Sequence, residues 1–570
     1  MLNFYDFEVF SKDWLVVIIN LYEKTETVIV NDKKQLEEYY EAHKNEIWVG
    51  YNNNHYDQYI MKAILCDFDP KEVNDFIITE GKHGWQFSSL FRKIQMYNYD
   101  VMYRNDRGLK SLEGFMGNNI KETSVPFDID RKLTAGEIAE TIKYCQHDVE
   151  QTVEVFFSRK SDFDAQMGLI KMFNLSLSNI SRTKAQLSAI ILEANRQCHD
   201  DEFDISFPPT MRIKKYTEVV DWYKDVNNRN YSKSLTTTVA RVETLFGWGG
   251  IHSARPKYYG EGYFINMDVA SLYPSLMIKY NLLSRNIKDP QKYIDIYHNR
   301  LKYKAEKNPL QLPLKTLLNS TYGCFKDKNN ALYDPLMANN ICIFGQLLLL
   351  DLMEKLEPYA EIIQSNTDGI LIKMPDTSRT TNVDTWFNII DDVVYEWEQR
   401  TGLKMEFDEY QKVFQKDVNN YIVVTSDGKY KSKGSYVKKQ NNLDYDLPIV
   451  NKAMIDYMTK GVSIEQTING CDQLIMFQKI VKMSGKFKHV IHNGKILDEK
   501  CFRVFASLDE SDSYIGKQKA NGKTVEKFAN TPEHCFIIND NVKESNVPKK
   551  LDKQWYINLT KERLKQFGVM

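Results

Sequence analysis

The stretch Asn266–Ser275, NMDVASLYPS, decides how this chain is read. Before it, Gly262 to Ile265 reads as a short buried strand, and after it Leu276, Met277, Ile278 and Tyr280 open a helix. Asp268 therefore stands where a strand ends. A carboxylate there is steadied by rigid flanks at the surface of a sheet, which suits it to hold a metal ion. Tyr273 falls on the turn into the helix, where its ring can floor a pocket beside that ion. Pro274 is tolerated at a helix start.

Working outward, NRLKYKAEKNPLQLPLKTLLNSTYG places Arg300 and Lys304 at i,i+4 on one predicted helix and Lys315, Asn319 and Tyr322 at i, i+4 and i+7 on the next. Asn308, Pro309 and Pro313 break the chain between them, so the helices fold back as a hairpin. Three cations and an amide then face a common cleft, and a triphosphate is the natural ligand for that cluster. A solvated basic face remains the alternative for Lys304. Asp334 and Pro335 read as the N-cap and first residue of a core helix running to about Glu357. In AEIIQSNTDGILIKM two short apolar strands flank a turn, so Asp368 sits at a hairpin tip.

The N-terminal third begins LNFYDFEVF, then WLVVIINLYE and ETVIV, successive strands of one sheet. Asp6 and Glu8 are two apart and project from the same face, where a divalent cation between them would offset their repulsion. In IWVGYNNNHYDQYIMKAIL a strand runs into a helix, with Asn53 four residues before Asp57 at the junction. GEIAETIKYCQHDVEQTVEVF is a helix carrying Tyr144 and Asp148 on one face. Asn174 to Asn195 reads as a long helix.

These pieces together resemble the family B DNA polymerases. DxxSLYPS, Asp268 to Ser275, is similar to the A motif of that family, and KTLLNSTYG, Lys315 to Gly323, matches its KxxxNSxYG motif. The YxDTDS pattern is met with three departures, Gln364 for Tyr, Asn366 for the first Asp and Gly369 for Ser, while Asp368 matches the shared metal ligand. In order, DFE, NNHYD and YCQHD resemble the three motifs of the DnaQ-like 3′→5′ proofreading exonuclease. GWGGIHSA, Gly247 to Ala254, is similar to the YxGG/A loop, with an ordinary glycine turn as the alternative. KYKSKGS resembles KxKG, and NNY at 419–421 stands where KxY is usual, so that motif's lysine is missing or replaced by Lys416.

The resemblance implies an α/β and α+β multidomain chain: an RNase H-like exonuclease domain followed by a right-hand polymerase of palm, short fingers and thumb. Its expected boundaries are 1–165 for the exonuclease, 166–260 for a connector and N-terminal palm, 261–283 and 341–435 for palm, 284–340 for fingers, and 436–570 for the thumb and duplex-binding region. Asp268, the Val269 carbonyl and Asp368 would hold two Mg²⁺ ions, with Mn²⁺ able to substitute. Tyr273, Arg300, Lys304, Lys315, Asn319 and Tyr322 would bind the dNTP. In the exonuclease, Asp6, Glu8, Asp57 and Asp148 would hold a second metal pair, Tyr144 would orient water, and Asn53 and Lys121 would meet the primer end. Implied partners are primer-template DNA, dNTPs and the helicase, primase and single-strand binding protein of a phage replisome, for a monomer in a bacterial host cytoplasm. Two rivals are an exonuclease with a decayed polymerase half and a non-catalytic primer-template binding protein.

Composition fits these expectations. At 570 residues the chain exceeds one core. Its net charge of −2 hides an asymmetry, since residues 401–570 hold 28 Lys/Arg against 21 Asp/Glu. A basic module beside an acidic one suits a protein that grips phosphate at one end and gathers cations at the other. Eight cysteines without a CxxC pair indicate neither a disulfide framework nor a zinc site, and a reducing compartment fits. Asp6 and Glu8 interrupt any apolar leader. The most apolar run, Ile341 to Leu350, is shorter than the roughly 20 residues a bilayer needs. About 47 residues separate Asp268 from Lys315 and about 53 separate Lys315 from Asp368, leaving no room for the long insertions of protein-primed relatives. Extension of nucleic-acid primers without a terminal protein, and limited strand displacement, are the expectations.

Overall fold

Leu2–Val9 (β1) alternates around its strand so that Phe4, Asp6 and Glu8 share one face and Tyr5, Phe7 and Val9 the other. In this computed structural model, which describes residues 1–375, 383–519, 522 and 524–570, that strand is the middle of a five-stranded sheet. Its neighbours are Trp14–Asn20 (β2), Thr25–Val30 (β3), Ile47–Gly50 (β4) and Tyr97–Asp100 (β5), in the order β3-β2-β1-β4-β5. β1, β2 and β3 are antiparallel, while β4 and β5 run parallel to β1 and to each other. Tyr5, Phe7, Val9 and Trp48 pack with Ile60, Met61 and Val73 from helices Asp57–Leu65 and Pro70–Ile78. Phe4, Val17 and Val49 pack with Phe115, Val149 and Phe156 from helices Leu109–Met116 and Ala135–Ser158. Helices thus cover both faces of the sheet, and the acidic alternation on β1 points toward the helix that carries Asp148.

The chain divides into two compact units: Met1–Arg182 with Gln440–Ile449 and Asn469–Tyr556, and Thr183–Lys439 with Val450–Ile468 and Ile557–Met570. The first unit adds a three-stranded sheet of Lys479–Lys482, Cys501–Ala506 and Cys535–Ile537, and a four-stranded sheet of Phe487–His492, Lys495–Leu497, Gly516–Lys519 and Val525–Lys527. This corrects the expectation that 436–570 forms one thumb region. Ile480 and Cys501 join the apolar cluster under helix Leu109–Met116. Arg503, with no exposed surface, donates to Gly114 O (3.2 Å), Asn118 O (2.7 Å) and Gln478 Oε1 (3.0 Å). Burial lowers its pKa to about 10. The boundary expected at 165 lies instead between Arg182 and Thr183.

The long helix expected over 174–195 is broken. A 3₁₀ turn, Leu177–Ser181, precedes helix Lys184–Ile191. Ser176 and Thr183 side chains accept from the Ser178 and Gln186 amides, offering the backbone a start rather than a continuation of helix.

The second unit is built on a nine-stranded sheet of Ser234–Val239 (β6), Val242–Gly247 (β7), His252–Ala254 (β8), Tyr258–Val269 (β9), Glu361–Asn366 (β10), Gly369–Lys373 (β11), Met405–Asp417 (β12), Asn420–Val424 (β13) and Tyr430–Lys433 (β14). Its order is β14-β13-β12-β9-β11-β10-β8-β7-β6, with antiparallel neighbours throughout. Asp334 caps helix Pro335–Leu356, as expected. The apolar run within it belongs to a helix of 22 residues, the one helix among the described residues long and apolar enough to cross a membrane, yet its most apolar window is 94% buried inside the protein. Trp397, from helix Val383–Thr401, donates to its Leu348 carbonyl at 2.9 Å. Residues 376–382, inside the range expected as 341–435, and 520, 521 and 523, inside 436–570, lie outside the described residues.

Candidate active sites

In the second unit, β9 ends at Asp268 and Val269, and the chain turns through Ser271, whose φ of +52° starts helix Leu272–Lys279. β10 and β11 form the expected hairpin, with Thr367 and Asp368 at its tip. β11 pairs with β9 so that Gly369 lies opposite Asp268, and the Val269 amide donates to the Asp368 carbonyl at 2.7 Å. Two aspartates one hundred residues apart are thereby fixed at one corner of the sheet. A Cβ on Gly369 would collide with Asp268 Oδ1. Asn366 Oδ1 accepts from the Asp368 amide at 3.3 Å, closing the turn without adding a charge.

Around this corner lies a cleft of about 490 Å³. Arg300, Lys304 and Lys315 line it beside Asp268, Val269 and Asp368. Arg300 is buried, donates to Ser271 Oγ at 3.2 Å and leaves its Nε unpartnered. Lys304 pairs loosely with Glu406 at 3.4 Å, while Lys315 and Asn319 are exposed. Tyr273 and Tyr322 stack on each other, centroids 4.0 Å apart, and the Tyr322 hydroxyl lies 2.7 Å from Cys342 Sγ. Burial, and then the Asp368 charge, raise the Asp268 pKa to about 6, although the Asn266 amide donates to it at 2.8 Å. Partly buried like charges of this kind fit a divalent cation, which would hold both ionised. Gly250 of the glycine loop packs against the hairpin tip, where a Cβ would stand 2.5 Å from Thr367 Oγ1.

Sequence reading did not single out two acids that line the cleft. They are Glu406 and Asp408, beside Gln364 and Lys431 of the quoted motifs. Asp408 is paired across from Asn266 on β9 and bonded to Lys431 at 2.7 Å. The signal was present in MEFDEY, where Glu406 and Asp408 alternate along one strand face.

In the first unit, Asp6 and Glu8 on β1 face helix Ala135–Ser158, whose Cys145 Sγ donates to the Asp6 carbonyl at 3.3 Å. Asp57 opens its helix and accepts from the Phe7 amide at 3.1 Å. Asp6, Glu8 and Cys145 form one group whose ligand atoms lie within 4.8 Å of one another, and Glu113, His147 and Asp148 form another. Burial, and then neighbouring carboxylates, push Asp6 and Glu8 well above the carboxylate range. Burial also raises Asp57 to about 7, against amide hydrogen bonds, and Asp148 to about 6, against the Lys110 charge. Acidic groups so placed could bind metal. Tyr144 lies over the Lys110 ammonium, 4.4 Å from ring centre to Nζ. Asn53 is fully buried, donating to Asn98 Oδ1 (3.0 Å) and Tyr99 O (3.3 Å) with its own Oδ1 unpartnered.

Lys121, expected to meet the primer end, is exposed. The lysine that reaches these carboxylates is Lys110, which bonds Asp148 directly and Glu113 at 3.1 Å. It sits on helix Leu109–Met116, too short for its period to stand out in sequence.

Paired aspartates at a sheet corner over a cleft lined by three cations, and a separate buried carboxylate cluster, are the two candidate sites of the chain. No family model matches the chain. It is similar to "DNA polymerase 1" of Saccharolobus solfataricus, 24% identical over 355 residues that cover 51% of this chain and 38% of the relative, and to "DNA polymerase 1" of Sulfurisphaera ohwakuensis, 24% identical over 231 residues covering 40% and 23%. These matches span well under half the length of the curated relatives. The structure of the family B DNA polymerase from the hyperthermophilic archaeon Pyrobaculum calidifontis aligns over 99% of this chain and 77% of its own, with a TM-score of 0.42 and 13% identity. The sequence likeness is therefore to archaeal proteins named DNA polymerase 1, over part of their length.

Proposed function

We propose that the chain is a template-directed DNA polymerase that adds deoxynucleotides to a primer 3′-OH and proofreads through a 3′→5′ exonuclease site, as a compact replicative enzyme of the small phage type. The observation that carries this reading is that Asp268 and the hairpin-tip Asp368 share one sheet corner in a cleft also lined by Arg300, Lys304 and Lys315. In this reading 183–439 contains palm and fingers, and 1–182 with its C-terminal additions contains the exonuclease.

Asp268, Asp368 and the Val269 carbonyl would hold Mg²⁺, which when bound favours the alkoxide of the primer and neutralises the triphosphate. Arg300, Lys304 and Lys315 bind and orient the triphosphate through charge-assisted hydrogen bonds. Tyr273 packs under the sugar and excludes a 2′-hydroxyl, and Tyr322 abuts the nascent base pair, for which the two stacked rings must part. In the other site, Asp6, Glu8, Asp57 and Asp148 would hold the metal pair and Tyr144 would orient water, while Asn53, expected at the primer end, is fully buried and instead braces the strand end through Asn98 and Tyr99. Nucleic-acid primers without a terminal protein are the substrate.

Extension of a labelled primer on a longer template with Mg²⁺ and dNTPs tests this, comparing the native chain with Asp368→Ala. Full-length product should disappear in the variant while dNTP-free shortening of the primer remains. Shortening without any extension by the native chain, under Mg²⁺ or Mn²⁺, would replace the reading with a nuclease whose polymerase half has decayed.

A further inference from the structure

Glu113 is a buried acid that the reading above does not use. It has no exposed surface, and its Oε1 accepts from Lys110 Nζ at 3.1 Å. Its Oε2 has no hydrogen-bond partner. His147 Nε2 stands 3.5 Å from that oxygen but lies 3.2 Å from the Asn119 carbonyl. A buried acceptor left unpaired is destabilising, more so when charged, so a donor arriving there during the working cycle would recover that cost. Lys110 is the donor beside it, with three N–H groups. Its ammonium is shared between Glu113 and Asp148 Oδ1. Asp148 cannot give the same oxygen to a divalent ion and keep that ammonium, because two cations would then meet at contact distance in a buried place.

We propose that Glu113 is a positioning residue that receives the Lys110 ammonium when Asp148 binds a divalent ion, keeping that charge at the site as a contact for the phosphodiester being cut. This rests on the nuclease reading. Glu113 Oε2 supplies the acceptor the displaced ammonium needs, and the Tyr144 ring holds the lysine's other side. Without the Glu113 carboxylate the displaced ammonium would have no counter-charge at this position, so binding of the divalent ion would be opposed.

The test is Mn²⁺ titration by calorimetry of the full chain carrying Asp368→Ala, so that the other cleft contributes little, with Glu113→Gln, Glu113→Asp, Lys110→Met and the double variant Lys110→Met/Glu113→Gln. Glu113→Gln should weaken Mn²⁺ binding about tenfold, and Glu113→Asp should recover most of it. In the Lys110→Met background Glu113→Gln should change the affinity less than about twofold, the non-additivity expected of residues that act through one another. Shortening of a single-stranded primer by Lys110→Met should fall about a hundredfold in kcat, the scale of losing one preorganised charge contact, with KM little changed. Native affinity in Glu113→Gln, or an equal effect in both backgrounds, would overturn the proposal. If the native chain shortens no primer, the nuclease reading fails by itself, and the Mn²⁺ series still decides whether the ammonium moves to Glu113.

Discussion

Gly369 is fixed by its neighbour across the ladder. Any Cβ there meets Asp268 Oδ1, so Gly369→Ser should displace that carboxylate and lower single-nucleotide incorporation at least tenfold, while dNTP-free shortening holds. The family pattern has Ser at this position, and sequence alone shows the departure without its cause, because the collision is with a residue far away along the chain, Asp268. Asn366 is similar: its oxygen closes the turn at Asp368, a role that composition cannot reveal. Asp268 also carries a pH prediction. Its pKa, raised to about 6 chiefly by burial, means that binding a divalent ion displaces a proton below that pH. The apparent Mg²⁺ affinity for extension should therefore fall about tenfold per pH unit below about 6, read from Mg²⁺ titrations at fixed pH. The sign for stability is opposite. The folded chain holds this proton more tightly than the unfolded chain, so this group's contribution to stability is greatest at acid pH and is lost as pH rises to about 6.

Helix Ala135–Ser158, expected from sequence, starts on a capping box in which Thr134 and Glu137 make both reciprocal bonds. Thr134→Ala should cost about 1 kcal/mol, measured as a lower urea midpoint at unchanged slope. The helix over 174–195 was misread because its apolar period runs through Thr183, which starts a new helix with Gln186 rather than continuing an old one. Helix Leu109–Met116 was missed altogether: eight residues give barely two turns, and Gly117 at φ +79° ends it. That omission is why Lys110 was not among the expected site residues. Periodicity finds long amphipathic elements and passes over short ones held by tertiary packing. The strand, turn and hairpin around Asp268 were readable for the opposite reason, since chemistry and local pattern coincide there.

At the scale of the whole molecule, sequence order misled. Motifs read along the chain suggest domains laid end to end, but Asn469–Tyr556 completes the N-terminal unit. Nothing local in that segment announces this, because Arg503 and Gln478 act on the carbonyls of Gly114, Phe115 and Asn118 hundreds of residues earlier. A fragment of residues 1–182 should therefore fail to give a cooperative thermal transition, whereas co-expression with residues 440–570 should restore one. The basic C-terminal region expected to be a thumb is instead shared between two units.

The chain passes between those units five times before it ends. On a ribosome, the helix Leu109–Met116 emerges early, yet the strands that cover it follow only after residue 479. At about 5–20 residues per second that is roughly twenty to eighty seconds with an apolar face uncovered. Nascent copies of this protein would for that interval present an apolar face to whatever binds hydrophobic surface, so the yield of folded chain should depend on translation speed as well as on final stability.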